Sequence, residues 1–148
     1  MNKKEEFDEQ INLYYKYLFE FGNTYHGWAK KHGIHDTVLF VLSEINETLP
    51  YCTQNEICEK LFLPKQTVSL VLSGLEKKGY ILRELNPKDR RNKLVRFTEQ
   101  GDQYAKGILS ELKAAEIEAL SNISQEERQS MFASFGLLSD LLAKSLSK

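Results

Sequence analysis

A mainly α-helical chain with one small β-hairpin wing past its middle is the fold class that three observations predict. The segments 3–32 and 99–147 contain no proline and repeat large apolar residues at steps of three and four, the period of a helix face. Between them, two shorter apolar-periodic segments flank the break Phe62-Leu63-Pro64. Two runs suited to strands then follow, Tyr80 to Leu85 and Leu94 to Thr98, around the tip Pro87-Lys88-Asp89-Arg90-Arg91-Asn92-Lys93. Helix, turn, helix and hairpin, in that order, make a winged helix-turn-helix. The expected organisation is one chain, 1–148, with a winged lobe at 36–98 between helical regions at 3–32 and 99–147 that serve dimerisation.

The first segment repeats Phe7, Ile11, Tyr14, Leu18, Phe21, Tyr25 and Trp28 on one helix face, while Leu13, Tyr15, Tyr17 and Phe19 fall off that stripe. A helix this aromatic cannot cover itself and predicts packing against its own domain and also a second chain. Gly33 and His35-Asp36 punctuate the next boundary, with Asp36 as the expected cap of a helix carrying Val38, Leu39, Val41, Leu42 and Ile45. That helix should end near Leu49-Pro50, where the proline forbids continuation. His26, His32 and His35 lack the one-turn spacing of a metal-binding helix, and no metal is expected.

Thr53-Gln54-Asn55-Glu56 predicts a capping box that starts the first helix of the lobe. Pro64 suits the entry of the second, where its missing amide would have no intrahelical partner. Val68, Val71, Leu72 and Leu75 form the inward stripe of that second helix. Lys65, Gln66, Thr67, Ser69 and Ser73 are left on the other side, sized to enter a major groove and reach base edges. Gly79 stands where a left-handed cap ends a helix.

In the wing, Lys88, Asp89, Arg90, Arg91 and Lys93 are the expected DNA contacts, with arginine suited to the minor groove. Asp89 is expected to bridge to Arg91 and aim it, leaving Lys88 and Arg90 for phosphates. Thr98 caps a helix from Glu99 to about Ser121 carrying Tyr104, Ile108, Leu109, Leu112, Ile117 and Leu120. Ser124-Gln125-Glu126-Glu127 opens the last helix with a second box, and Met131, Phe132, Phe135, Leu138, Leu141, Leu142 and Leu146 are its residues to bury.

Composition narrows the function classes. With 148 residues and 41% hydrophobic content, the chain can bury one ordinary core, or a smaller one plus helices that need a partner. No apolar run approaches the length of about 20 residues that spans a bilayer, so the expectation is a cytoplasmic protein with no membrane contact. Cys52 and Cys58 are too few for a disulfide framework. The net charge of −1 hides a segregation: Lys60 to Arg96 holds ten basic and three acidic residues, so that segment is +7 and the remainder −8. A positive face on an acidic body is an electrostatic footprint for phosphate.

With these elements in place the chain resembles the MarR (multiple antibiotic resistance regulator) transcription factors over essentially its full length. Gln66-Thr67-Val68-Ser69, Leu75-Glu76-Lys77-Lys78-Gly79-Tyr80, Asp89-Arg90-Arg91, Leu94 and Phe97-Thr98-Glu99-Gln100-Gly101 carry the resemblance. It implies a homodimer with interlocked terminal helices, whose recognition helices enter successive major grooves of a near-palindromic double-stranded DNA operator. It also implies repression relieved by a small aromatic or lipophilic effector, for which Tyr14, Tyr25, His26 and Trp28 are the candidate pocket. The family often has a small turn residue at position 62 and a basic one at position 70; here they are Phe62 and Leu70.

No glycine-rich phosphate loop, nucleophile elbow or paired-carboxylate motif appears, so an enzyme is not expected, nor a cofactor. Two alternatives keep the fold and change the task. Leu70 in the outward row of the second helix would suit a winged helix used for protein contacts. Cys52, just before the lobe's helices, would suit a thiol-sensing regulator, although thiol-sensing relatives generally carry that cysteine near the start of the first helix.

Overall fold

The computed structural model describes residues 2–148 as six helices and a three-stranded sheet. The order is α1 (Lys3–Lys31), α2 (Asp36–Glu47), β1 (Cys52–Thr53), α3 (Gln54–Leu61), α4 (Lys65–Lys77), β2 (Ile81–Glu84), β3 (Leu94–Phe97), α5 (Glu99–Ser121) and α6 (Gln125–Leu146). The chain divides into two compact units, one running to Leu109 and the other from Ser110 to Lys148.

The core of the first unit is the winged lobe. Leu39, Val41, Leu42 and Ile45 from α2, Ile57 from α3, and Val68, Leu72 and Leu75 from α4 are buried against Cys52, Ile81, Val95 and Phe97 of the sheet. Ala29 near the end of α1, with Ala105 and Ile108 of α5, completes it. Val71, expected in the inward stripe of α4, is only half-buried.

Three helices of this unit end in the same way. After α1, Gly33 takes φ +76°, and the amides of Gly33 and Ile34 donate to the carbonyls of Lys30 and Ala29. After α4, Gly79 takes φ +80°, and Gly79 and Tyr80 donate to Glu76 and Leu75. This paired closure of orphan carbonyls is a Schellman motif, and glycine suits it because the left-handed residue carries no Cβ. After α3 the left-handed position is Phe62 at φ +54°, with Leu63 donating to the Cys58 carbonyl at 3.1 Å.

The sheet holds one strand more than the sequence predicts. Cys52 and Thr53 pair with Val95 and Leu94, placing β3 between β1 and β2 in an antiparallel sheet. A two-residue strand has no periodicity to read, and only its partner far along the chain defines it.

The caps also depart in detail. His35, not Asp36, is the N-cap of α2: its Nδ1 accepts from the Thr37 amide at 3.1 Å, and Asp36 is the first helical residue. A ring nitrogen here does the work of the usual side-chain oxygen, while Asp36 still meets the positive end of the helix dipole. Asn2 and Glu5 form a complete capping box on α1. At Thr53 and Ser124 the hydroxyl half is made, accepting from the amides of Glu56 and Glu127 at 3.2 and 3.1 Å. Thr48 closes α2, and the Leu49–Pro50 peptide is cis.

Outside the lobe the picture reverses. From Lys3 to Thr24 every residue of α1 is exposed, including Phe7, Tyr15, Tyr17, Phe19 and Phe21. In the second unit α6 has no buried residue, and Phe132, Phe135, Leu137, Leu138, Leu141 and Leu146 are exposed. Of the apolar set expected to be buried by α6, Met131 and Leu142 are half-buried and the other five are uncovered in one chain. No helix among the described residues is long and apolar enough to cross a membrane.

Candidate nucleic-acid interface

α4 and the base of the wing are joined by a residue the sequence did not single out. Arg83 on β2 donates through Nη2 to the Ser73 hydroxyl at 2.9 Å and to Glu76 at 3.1 Å, and through Nη1 to Ser69 at 3.4 Å. Ser73 in turn donates to the Ser69 carbonyl at 2.9 Å. Ser69 and Ser73 are therefore tied into the joint between helix and wing, and their groove-facing capacity is partly spent there. Lys65 and Gln66 stand exposed at the start of α4, with Thr67 half-buried behind them. This places the free polar groups at the N-terminal turn, where the helix dipole also favours phosphate.

The wing tip is organised around Asn86 and Asp89. Asn86 is the buried polar residue of the lobe, and its Oδ1 accepts from the Lys88 amide at 3.1 Å. Asp89 does not form the expected ion pair with the Arg91 guanidinium. Its Oδ1 accepts from the Arg91 backbone amide at 3.0 Å, and its carbonyl accepts from the Asn92 amide at 3.1 Å. The carboxylate shapes an Asx-type turn, so Asp89 aims Arg91 by folding the backbone rather than by pairing charge. Lys88, Arg90 and Arg91 are left exposed, and Lys93 is half-buried.

Two further contacts fix the wing's base. The Asn92 side chain accepts from the Asn55 amide at 2.9 Å, and the Lys93 carbonyl from the Gln54 amide at 2.9 Å, so the wing fastens onto the first turn of α3. Glu84 and Arg96 form a cross-strand ion pair on an exposed face. At the far end, the Thr98 amide donates to the Tyr80 carbonyl at 3.0 Å. The Thr98 hydroxyl donates to the Gly79 carbonyl at 2.6 Å and accepts from the Gly101 amide at 3.0 Å. Gly101 lies so close to Tyr80 that a Cβ there would fall 1.7 Å from the Tyr80 oxygen. The Tyr80 and Tyr104 rings stack over this joint, 4.4 Å apart and 3° from parallel, and burial pushes the Tyr104 hydroxyl above its ordinary pKa.

The four candidate pocket residues point to different partners. Tyr25 packs on Phe40 of α2, His26 approaches Asp36 and His35, Trp28 stacks on His32 of its own helix, and Tyr14 lies against Tyr15. A cavity of about 330 Å³ lies elsewhere, between the α1–α2 turn and α4, lined by residues that include Ile34, Val38, Leu70, Val71 and Leu75. Leu70, 76% exposed, is the rim of that cavity. Cys52 is fully buried, and burial raises its thiol above the ordinary value; Cys58 is raised for the same reason. Such surroundings suppress the thiolate that redox sensing requires.

Comparison with known proteins agrees with this geometry. A sequence model of the MarR family matches residues 32–92, from the end of α1 to the wing tip. The HTH-type transcriptional regulator SarZ of Staphylococcus epidermidis is 30% identical over 123 residues, covering 83% of this chain and 74% of that protein. An HTH-type regulator of Bacillus subtilis, YkoM, is 28% identical over 131 residues, covering 86% and 84%. Among solved structures, NMB1585, a MarR family regulator from Neisseria meningitidis, superposes with a TM-score of 0.76 at 27% identity, covering 99% of this chain and 98% of that one. MepR of S. aureus, solved as a DNA complex, gives 0.73 at 26% identity, covering 88% and 96%. The chain belongs to the MarR family and is a DNA-binding transcriptional regulator of the winged-helix type.

Proposed function

We propose that the protein acts as a homodimeric repressor, with two α4 helices reading successive major grooves of a near-palindromic operator and two wings holding the flanking backbone. The observation that carries this reading is the exposed cationic tip, Lys88, Arg90 and Arg91, braced through Arg83 to a helix whose first turn presents Lys65 and Gln66. In this division the wing supplies phosphate affinity, which is insensitive to sequence, and Gln66 with Thr67 supplies base choice. The uncovered apolar faces of α1 and α6 support assembly of two chains through residues 3–32 and 99–147, which would set the half-sites about 34 Å apart.

Binding of the purified protein to the DNA upstream of its own gene tests the proposal by fluorescence anisotropy. Affinity is expected to fall steeply with salt as counterions are released. Arg91→Ala should weaken all sequences alike and flatten that dependence, whereas Gln66→Ala should cost about 1–3 kcal/mol of discrimination at its base pair. Binding unchanged by both substitutions would overturn the assignment of these residues.

The cavity behind α4 favours a second, compatible reading: a small aromatic or lipophilic effector acts there. Its volume is within the range of about 300–1,000 Å³ usual for ligand sites, and its wall includes α4 itself. An effector could shift operator binding only by the difference in its affinity for two arrangements of that helix.

A further inference from the structure

The strongest cluster outside the DNA-facing surface lies at the elbow between α1 and α2. The spacing of the histidines in sequence argues against a metal site, but the Schellman turn at Gly33 folds the start of α2 back toward α1 and brings a carboxylate into the set. One donor atom from each of His26, His35 and Asp36 lies within 4.8 Å of the others. The Asp36 Oδ1 is 3.3 Å from His26 Nδ1 and 2.9 Å from His35 Nδ1, and the two imidazoles meet edge-on at 73° with centroids 5.3 Å apart.

The hydrogen bonding around His35 shows what an ion would displace. Its Nδ1 lies 3.1 Å from the Thr37 amide, 3.1 Å from the Thr37 hydroxyl and 2.9 Å from the Asp36 carboxylate. That nitrogen carries a single in-plane lone pair, so coordination through Nδ1 exchanges the cap bond from Thr37 for a bond to the ion.

We propose that His26, His35 and Asp36 form a site for a divalent ion of the zinc class, with the fourth coordination position open to water. Imidazole and carboxylate are zinc's ordinary nitrogen and oxygen ligands, and two histidines with one carboxylate make a sufficient protein set. Bonds of about 2.0–2.1 Å in a tetrahedron set neighbouring ligand atoms about 3.3 Å apart, so two of the three separations are near their coordinated values already. The positive end of the α2 dipole opposes a cation with about half an elementary charge, and the full negative charge of Asp36 outweighs it. The ion would cross-link α1 to the first turn of α2. Since His35 also lines the cavity behind α4, it would hold one wall of that cavity as well.

The test uses the full-length chain without an affinity tag, titrated with ZnCl2 by calorimetry, with thermal melting as a second readout. One zinc per chain and a rise in Tm are expected. His26→Gln, on the exposed side of α1, and His35→Asn, which keeps a good helix cap while removing the imidazole, should each raise Kd about tenfold or more. Loss of a supporting residue around a metal already costs about 10–100-fold, and loss of a ligand should cost at least that. Melting in chelator should be the same for wild type and His26→Gln, which separates lost binding from lost fold. Zinc binding that both variants retain, or no stoichiometric binding by the wild type, would overturn the site.

Discussion

The winged lobe and the terminal helices obey opposite rules of construction. Within the lobe, Leu39, Leu42, Ile45, Ile57, Leu72 and Ile81 are completely buried, and the contacts of Arg83, Asn92 and Thr98 tie one element to another. Along most of α1 and α6, equally apolar residues stand uncovered. The lobe covers its own apolar surface, whereas the ends of the chain leave much of theirs uncovered. Stability measured on the lobe should therefore report internal packing, and behaviour traced to the ends should depend on protein concentration.

The largest expected effect breaks the lobe from within. Gly101→Ala drives a Cβ into the Tyr80 carbonyl, a backbone atom that cannot turn aside, and should cost about 3 kcal/mol or more, read as a fall in the urea midpoint. Next, Leu141→Glu on α6 should leave the lobe's near-native spectrum intact. It should raise the dimer dissociation constant about 100-fold by sedimentation, because a carboxylate would be buried in an apolar contact. A monomer already at micromolar concentration in the wild type would refute the contrast itself.

Smaller effects sharpen it. Arg83→Ala removes three hydrogen bonds from a mostly buried guanidinium and should cost about 1–2 kcal/mol of stability, with a loss of DNA affinity through the loosened joint between α4 and β2. Phe62→Gly should act in the other direction. Phe62 holds a left-handed conformation with its ring 92% exposed, so glycine relieves strain and forfeits little packing, a gain of up to about 1 kcal/mol by thermal melting.

The same contrast explains what the sequence could show. Long amphipathic helices carry their signal many times over, and α1, α5 and α6 end within a residue or so of the expected limits. The wing and α4 were legible because proline, glycine and charge punctuate them. What escaped was everything defined by a partner far along the chain. β1 exists only because Val95 lies beside it, Asn92 matters only because Asn55 is near, and Arg83 finds Ser69 and Ser73 only once β2 lies along α4. Asp89 shows a subtler limit. Its influence on Arg91 was foreseeable, but charge suggested a side-chain bridge where the short carboxylate prefers the nearer backbone amide. Asp36 likewise yielded its capping role to His35, a residue type seldom read as a cap.

The contact between the end of α4 and the start of α5 is centred on main-chain atoms: the Tyr80 carbonyl lies against Gly101 and accepts from the Thr98 amide, and the Gly79 carbonyl accepts from the Thr98 hydroxyl. The side chains that join in, the Thr98 hydroxyl and the stacked Tyr80 and Tyr104 rings, only brace that main-chain contact. Substitution elsewhere on α5 can alter its surface, but the tilt of the reading helix is indexed to the α5 backbone itself, like a tool clamped at its shank. Whatever moves the base of α5 must move the whole reading head with it.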